Sequence, residues 1–334
     1  MSTRLDGKVA VVTGSGMGAI KGIAVGLARE GAKVVTNNRK PGSVGMTAWS
    51  DADATEKLLT DEDRELIASI SGDARTTADA IIAEGGEAIP FFGDPGDFEV
   101  AGDMVQAAMD EWGRVDIVVN GAAGSGFGPF HKVTPEDWLL QTHTKLTGTY
   151  NVMHHVLPIM RRQGFGRVLN ASSDALPGKP MLAPYSAACA GIAALTRAVA
   201  GELDGSGITC NAFCPRSLSR NHINWRASMR ERLAGGGPEI EALKKLLDEE
   251  EKDHQAPEKL GPFLAYLATD EAAYINGAVF TVTAGGRISL YSEMSTISEV
   301  TKDGAPWTVD ELRTVIPERL LAGHIPVPTR EPGA

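Results

Sequence analysis

The chain is poor in the features that mark several protein classes. Its three cysteines, Cys189, Cys210 and Cys214, in 334 residues supply neither a disulfide framework nor a CxxC pair. No Cys/His cluster with ligand spacing accompanies them, so reduced thiols, a cytoplasmic location and no metal centre are expected. Basic residues are not in excess: 43 acidic against 32 basic side chains leave a net charge of −11. That balance excludes a nucleic-acid surface and favours a well-repelled soluble particle. No run of about 18 apolar residues exists to span a bilayer, so no membrane partner is expected, and the start "MSTRLDGKVAVVTG" lacks a charged-then-apolar signal pattern. Internal repeats and low-complexity segments are absent as well. What remains is an ordinary globular composition, 43% hydrophobic, with the length of one large α/β domain or two small ones.

Short apolar runs alternate with longer helical stretches through the first 210 residues. "KVAVVTG" (8–14), "KVVTNN" (33–38), "AIPFFGD" (88–94), "VDIVVNG" (115–121), "GRVLNASS" (166–173), "ITCNAFCP" (208–215) and "GAVFTVTAGG" (277–286) read as strands. Their lack of polar alternation predicts burial on both faces, and the intervening helices predict right-handed βαβ crossovers. The expected fold is α/β, a Rossmann-like doubly wound parallel sheet in a single domain, residues 1–288. Three stretches look added: a charged surface excursion with a short helix at 40–75, a charged helical segment over the sheet's carboxyl end at 217–256, and an extension at 289–334. The extension contains "WTVDELRTVIPERLLAG", a helix with Thr308 as N-cap and Glu311 at the capping-box position.

The first strand runs into "TGSGMGAIKG" (13–22) and then a helix. Glycines in such a turn let the backbone approach a pyrophosphate, which the helix N-terminus attracts. With that turn in place the chain resembles the short-chain dehydrogenase/reductase family over about residues 5–288. "GDPGD" puts Asp94 where the family holds adenine, and "VVNGAAG" stands where the family shows Asn-Asn-Ala-Gly. Ser173 and Tyr185 match the catalytic pair, and "AGGRI" matches the end of the last strand. "CPRSLSR" and the long tail are similar to the branch of multifunctional hydroxyacyl-CoA dehydrogenases. The resemblance implies cofactor contacts at Thr13, Gly14, Ser15, Met17, Gly18, Asn38, Arg39, Lys40, Asp94, Asn120, Ala122 and Pro215, and a homotetramer or homodimer built on the helices carrying Lys145 and Tyr185.

The departures from the family pattern are specific. Ile20 occupies the third glycine position of the turn, where a branched side chain is expected to shift the helix or narrow the pocket. At the end of the second strand "TNNRKPG" has no carboxylate for a ribose hydroxyl but carries Arg39 and Lys40, which favours NADP(H) over NAD(H). A degenerate site with no cofactor stays open as an alternative.

In the family a tyrosine moves the proton, a serine orients the carbonyl or alcohol, and an asparagine holds a water relay. A lysine four residues after the tyrosine binds ribose and lowers the phenol's pKa. A free phenol titrates near 10, so about one in a thousand is ionised at pH 7, and bringing it to neutrality takes roughly 4 kcal/mol. Here Tyr185 is present, and Ser173 fits the serine position better than Ser172. The lysine position holds Cys189, whose thiol cannot carry positive charge. The asparagine position, in "QTHTKLTGTYN", holds Lys145. The paired exchange motivates a specific expectation, that Lys145 returns the charge from the opposite helix. Three readings follow. The first is an NADP(H)-linked oxidoreductase acting on a small apolar alcohol or ketone with an altered catalytic set. The second is a retro-aldol lyase or a hydratase using Tyr185 and a Schiff base on Lys145. The third is a non-catalytic subunit. Phe127, Phe130, Met181, Leu182 and Trp225 are the candidate substrate contacts, and His143 is a candidate second titrating group.

Overall fold

The computed structural model describes residues 3–42, 47–48, 56–126, 128–236, 240–292, 296, 298–302 and 306–322. Among them the strands run, in chain order, β1 Val9–Thr13, β2 Lys33–Asn38, β3 Thr47–Ala48, β4 Ala88–Phe92, β5 Ile117–Asn120, β6 Ser125–Gly126, β7 Gly166–Ala171, β8 Ile208–Arg216, β9 Val279–Thr283 and β10 Ile288–Leu290. Eight of them form one sheet in the order β10-β9-β8-β7-β5-β1-β2-β4, while β3 and β6 pair separately. Every pair in the large sheet is parallel except β10 with β9.

Strands β1, β5 and β7 are buried along their whole length, the condition under which a strand reads as an unbroken apolar run. Their side chains alternate between two cores. Ala10 and Val12 join Ile23, Leu27 and Leu264 of the helices Gly18–Arg29 and Gly261–Leu267. Val9 and Val11 join Met104, Val152 and Met160 of the helices Phe98–Trp112 and Gly148–Gln163. Pro90, which cannot donate to a ladder, lies in β4 at the sheet edge, where that costs nothing. The strand order reverses between β1 and β5, and this is the switch point outside whose carboxyl ends α/β proteins bind ligands.

The doubly wound parallel sheet is as expected, with strand ends within a few residues of those read from sequence. The antiparallel edge strand β10 was not expected, because its three exposed residues, Ile288–Leu290, are too short a run to read as a strand. By contact the chain divides into two compact units, Met1–Tyr291 and Ser292–Ala334. In the second, the helix Val309–Val315 starts at Thr308 with the capping box to Glu311 and continues as one wider turn, Ile316–Leu320.

The stretch at 40–75 is more than the surface excursion expected of it. Its helix Asp61–Ile70, capped by Thr60, docks on a second helix, Arg220–Ala234, through Leu59, Ile70, Ile223 and Ala227. Asp63 is fully buried in this contact, with Arg226 at 2.9 Å and Arg230 also paired to it. Burial alone would raise the Asp63 carboxyl, but Arg230, the Thr60 amide and Arg226 outweigh it and hold the pKa far below the usual range. The segment at 217–256 forms two helices, Arg220–Ala234 and Ile240–Asp253. Among the described residues no helix is long and apolar enough to cross a membrane.

Candidate active site

The turn after β1 packs against the strand beside it. Gly14 has a left-handed backbone, φ +71°, and a Cβ there would lie 2.7 Å from the Ala122 Cα. Its N–H donates to the Asn37 side chain at 3.1 Å. A cavity of about 280 Å³ opens over this turn. It gathers Gly14, Met17, Gly18, Ile20, Asn38, Arg39, Asp94 and Ala122 from the sequence-derived set. It also draws in Asn37, Ile70, Ser71, Thr144, Ser219, Arg220 and Asn221, which the sequence did not single out.

Five of the expected contacts lie outside its lining. The Thr13 hydroxyl accepts from the Gly121 and Ala122 amides and staples β1 to the loop after β5. The Ser15 hydroxyl, completely buried, accepts from the Asn37 amide. Asn120 donates to the Asn170 side chain at 2.8 Å. Pro215 sits in β8 opposite Val282, and Lys40 is exposed.

Ile20 packs against the backbone of Gly121 and lines the cavity. A Cβ on Gly121 would meet three Ile20 side-chain carbons at 2.6 to 2.7 Å, so the branched chain occupies the space that the missing side chain of residue 121 vacates. The turn therefore suits a dinucleotide: Gly14 has the close backbone approach, and two cavity residues, Asn38 and Arg220, each keep a buried polar atom with no hydrogen-bond partner (Oδ1 and Nε).

At the carboxyl ends of β7 and β8 a second group of side chains converges. Tyr185 stands in the first turn of helix Ala183–Glu202. Lys145 lies in a wide turn, His143–Thr147, at the start of helix Gly148–Gln163; such π-type turns are frequent at functional sites. The Lys145 Nζ donates to the Ala171 carbonyl at 2.8 Å and lies 5.2 Å from the centre of the Tyr185 ring, with the side chain almost wholly buried. Burial alone would lower the Lys145 pKa, but Tyr185, Cys189 and Cys214 outweigh it and the net direction is up. They act in this way through their ionised forms, so these groups titrate as a set.

Burial pushes the Tyr185 phenol up, while the Lys145 ammonium and the Ser173 hydroxyl pull it down; the net direction is up. The phenol is therefore protonated at neutral pH. Cys189 is fully buried and its thiol is likewise raised, mainly by burial. This is the setting of an inert structural thiol. Cys214, beside it, is pushed up to about 12. The two serines separate cleanly: the Ser172 hydroxyl is buried and donates to the Cys189 carbonyl at 2.9 Å, whereas Ser173 lies within reach of the phenol. Ser173 also donates to Asp174 at 3.2 Å, and Asp174 is in turn paired with Lys179 and Arg216.

Of the proposed substrate contacts, Phe130 is exposed, Trp225 packs on His222 at 5.8 Å, and Phe127 lies outside the described residues. Met181 holds a strained left-handed backbone, φ 69°, in the segment leading to Tyr185. His143 lies against Gly96, where a Cβ would come within 2.5 Å of its ring. His222, Glu250 and His254 bring possible ligand atoms within 4.8 Å of one another. The two imidazoles, however, stack face to face at 3.8 Å and 8°, so no single point lies in both ring planes at bonding distance, and Arg216 already holds Glu250. This arrangement is not that of a metal centre.

A doubly wound sheet with a glycine turn at its switch point and a serine–tyrosine pair beyond the carboxyl end of β7 is the arrangement of a dinucleotide-dependent α/β enzyme. Comparison with known proteins places the chain within that class. The family model described as Enoyl-(Acyl carrier protein) reductase matches residues 45–286. The hydroxyacyl-CoA dehydrogenase ChsB1 of Mycobacterium tuberculosis is 30% identical over 334 residues, 97% of this chain and 92% of that protein. The 3-oxoacyl-[acyl-carrier-protein] reductase of Synechocystis is 29% identical over 289 residues, 85% of this chain and 98% of that one. A crystal structure of a short chain dehydrogenase from Mycobacterium avium covers 99% of the chain, and 100% of its own, with a TM-score of 0.72 at 27% identity. The chain belongs to the short-chain dehydrogenase/reductase family and is an oxidoreductase that uses a nicotinamide cofactor.

Proposed function

We propose that the chain is an NADP(H)-linked reductase of an apolar ketone, with a 3-oxoacyl thioester as the favoured substrate. The observation that carries this reading is the Lys145 ammonium buried beside the Tyr185 phenol, while Cys189 fills the family's lysine position. The thioester is suggested by the names of the relatives, and NADP(H) by Asn38 and Arg39 in the cavity lining at the end of β2, where "TNNRKPG" itself carries no carboxylate.

The turn at Gly14–Ile20, with Arg39 and Asp94, would hold the cofactor, which when bound would supply the hydride. The protein supplies the proton and the electrostatics. Tyr185, protonated at neutral pH, gives its proton to the carbonyl oxygen, and Ser173 turns from Asp174 to donate to the same oxygen. The phenolate left behind is stabilised by the Lys145 ammonium. At 5.2 Å and an effective dielectric near 20, that attraction is about 3 kcal/mol, on the order of a hundredfold in rate. We further infer a cytoplasmic homodimer or homotetramer, for which the exposed Phe98 and Tyr150 beside the helix that follows Lys145 offer an apolar face.

Turnover of acetoacetyl-CoA with NADPH and with NADH tests the reading. Tyr185→Phe is expected to abolish reduction, and Lys145→Met to lower kcat/KM about a hundredfold. A Lys145→Met enzyme within threefold of wild type would refute the role given to the ammonium.

A further inference from the structure

Arg220, the first residue of helix Arg220–Ala234, lines the cavity over the phosphate turn. It reaches that turn from the β8 side of the sheet, with β7, β5 and β1 between β8 and the β2 end, where Arg39 stands. The two arginines thus flank the turn from opposite directions. The turn residues that line the cavity, Gly14 and 17–20, bring no cation to it, and Lys21 after them is not in the lining.

The present partner of Arg220 holds it poorly. Its Nη2 is 3.7 Å from a Glu56 carboxylate oxygen, too long for a hydrogen bond. Its Nε is buried with no hydrogen-bond partner. Glu56 is shared with Arg64, which lies 3.8 Å from it. A guanidinium built for a structural ion pair engages a carboxylate with two parallel donors. Arg220 does not, and it leaves a desolvated donor at the wall of the cavity over the phosphate turn. We propose that Arg220 binds the pyrophosphate of the nicotinamide dinucleotide, and that Glu56, from the stretch at 40–75, competes for it when the cofactor is away. The proposal rests on the cofactor reading above and assigns a binding role to a residue of the substrate-side helix, so that cofactor binding and the position of that helix are coupled.

Calorimetric titration of NADPH and NADH into wild type, Arg220→Met and Glu56→Gln separates the possibilities. Because both nucleotides carry the pyrophosphate, Arg220→Met is expected to weaken both alike, about ten- to a hundredfold for a lost charge-assisted contact. Glu56→Gln, which leaves Arg220 in place, is expected to tighten both by about two- to fivefold as a competing charge is removed. Weakening of NADPH alone would move Arg220 to the 2′-phosphate and overturn the assignment. Unchanged affinities in both variants would overturn it while leaving the cofactor reading intact. A wild-type protein that binds neither nucleotide would overturn both.

Discussion

The contact between Ile20 and Gly121 can be broken and remade, which makes it the sharpest test of how this chain tolerates the loss of a family glycine. Gly121 has a backbone conformation open to any residue, so adding a methyl there is a purely steric change. The new Cβ would sit 2.6, 2.7 and 2.7 Å from three Ile20 carbons. Against an optimum of about 3.5 to 4.0 Å, each contact falls short by roughly 1 Å. The Gly121 backbone is fixed beside β5, and Ile20, largely buried on its helix, can give way only by turning toward the cavity that it lines. Gly121→Ala alone should therefore cost about 2 kcal/mol by overpacking. Ile20→Ala alone should cost about 3 kcal/mol through lost burial and the cavity left behind. In the double variant the methyl added at Gly121 fills part of that cavity, so the two costs should undershoot their sum by about 2 kcal/mol. Urea unfolding of the four proteins, with midpoints compared at constant slope, measures this coupling. Additivity within about 0.5 kcal/mol, the behaviour of sites that do not touch, would refute the account of exchanged volume.

Two further outcomes follow from buried charges. The His222 imidazole is pushed down to about 3, first by burial and then by His254, Arg226 and Arg216. A base with a lowered folded-state pKa is neutral in the fold while the unfolded chain takes up a proton. Its stabilisation is complete above about pH 6.5 and is lost as pH falls toward 3, with a slope of up to about 1.4 kcal/mol per unit. His222→Gln should flatten the acid limb of the stability–pH curve between those values, and an unaltered limb would refute the assignment. Asp63→Asn should cost about 3 kcal/mol by leaving Arg226 and Arg230 without their buried partner. The loss should appear as faster amide exchange across Asp61–Ile70, and unchanged exchange there would show that the apolar contact alone holds the helix.

How far the sequence could be read depended on how local the signal was. Strands buried on both faces, such as Val9–Thr13 and Gly166–Ala171, announce themselves within a few residues. The Thr308 cap did so as well. The docking of the stretch at 40–75 did not, because its anchor joins Asp63 to Arg226, 163 positions along the chain. Without that partner a buried aspartate looks like any other surface charge. Ile20 shows the same limit from the other side: the intruding side chain was visible, but the vacancy at Gly121 that receives it was not. Lys145 and Ser173 stood out because the family pattern marks their positions, and the structure brings both near Tyr185. Arg220 carried no such mark, although the quoted "CPRSLSR" ends on it, and only the cavity wall brings it to notice.

These exchanges share a physical logic. In the family, one lysine both charges the tyrosine's surroundings and holds the cofactor's ribose, so replacing it by Cys189 removes two functions at once. We infer that Lys145 restores only the first. Its Nζ reaches the phenol from the π-type turn, and one of its three protons is already committed to the Ala171 carbonyl. Cofactor affinity must then come from elsewhere in the cleft, and Arg220 is the cation that reaches the cavity from the β8 side. On this reading Lys145→Met and Arg220→Met should differ in kind. The first should cut turnover while NADPH affinity stays near that of wild type, and the second should raise the NADPH dissociation constant and spare the rate at saturating cofactor. If both variants lost affinity and turnover in parallel, the two tasks would not be divided, and Lys145 would be acting as the family's lysine does, only from another helix.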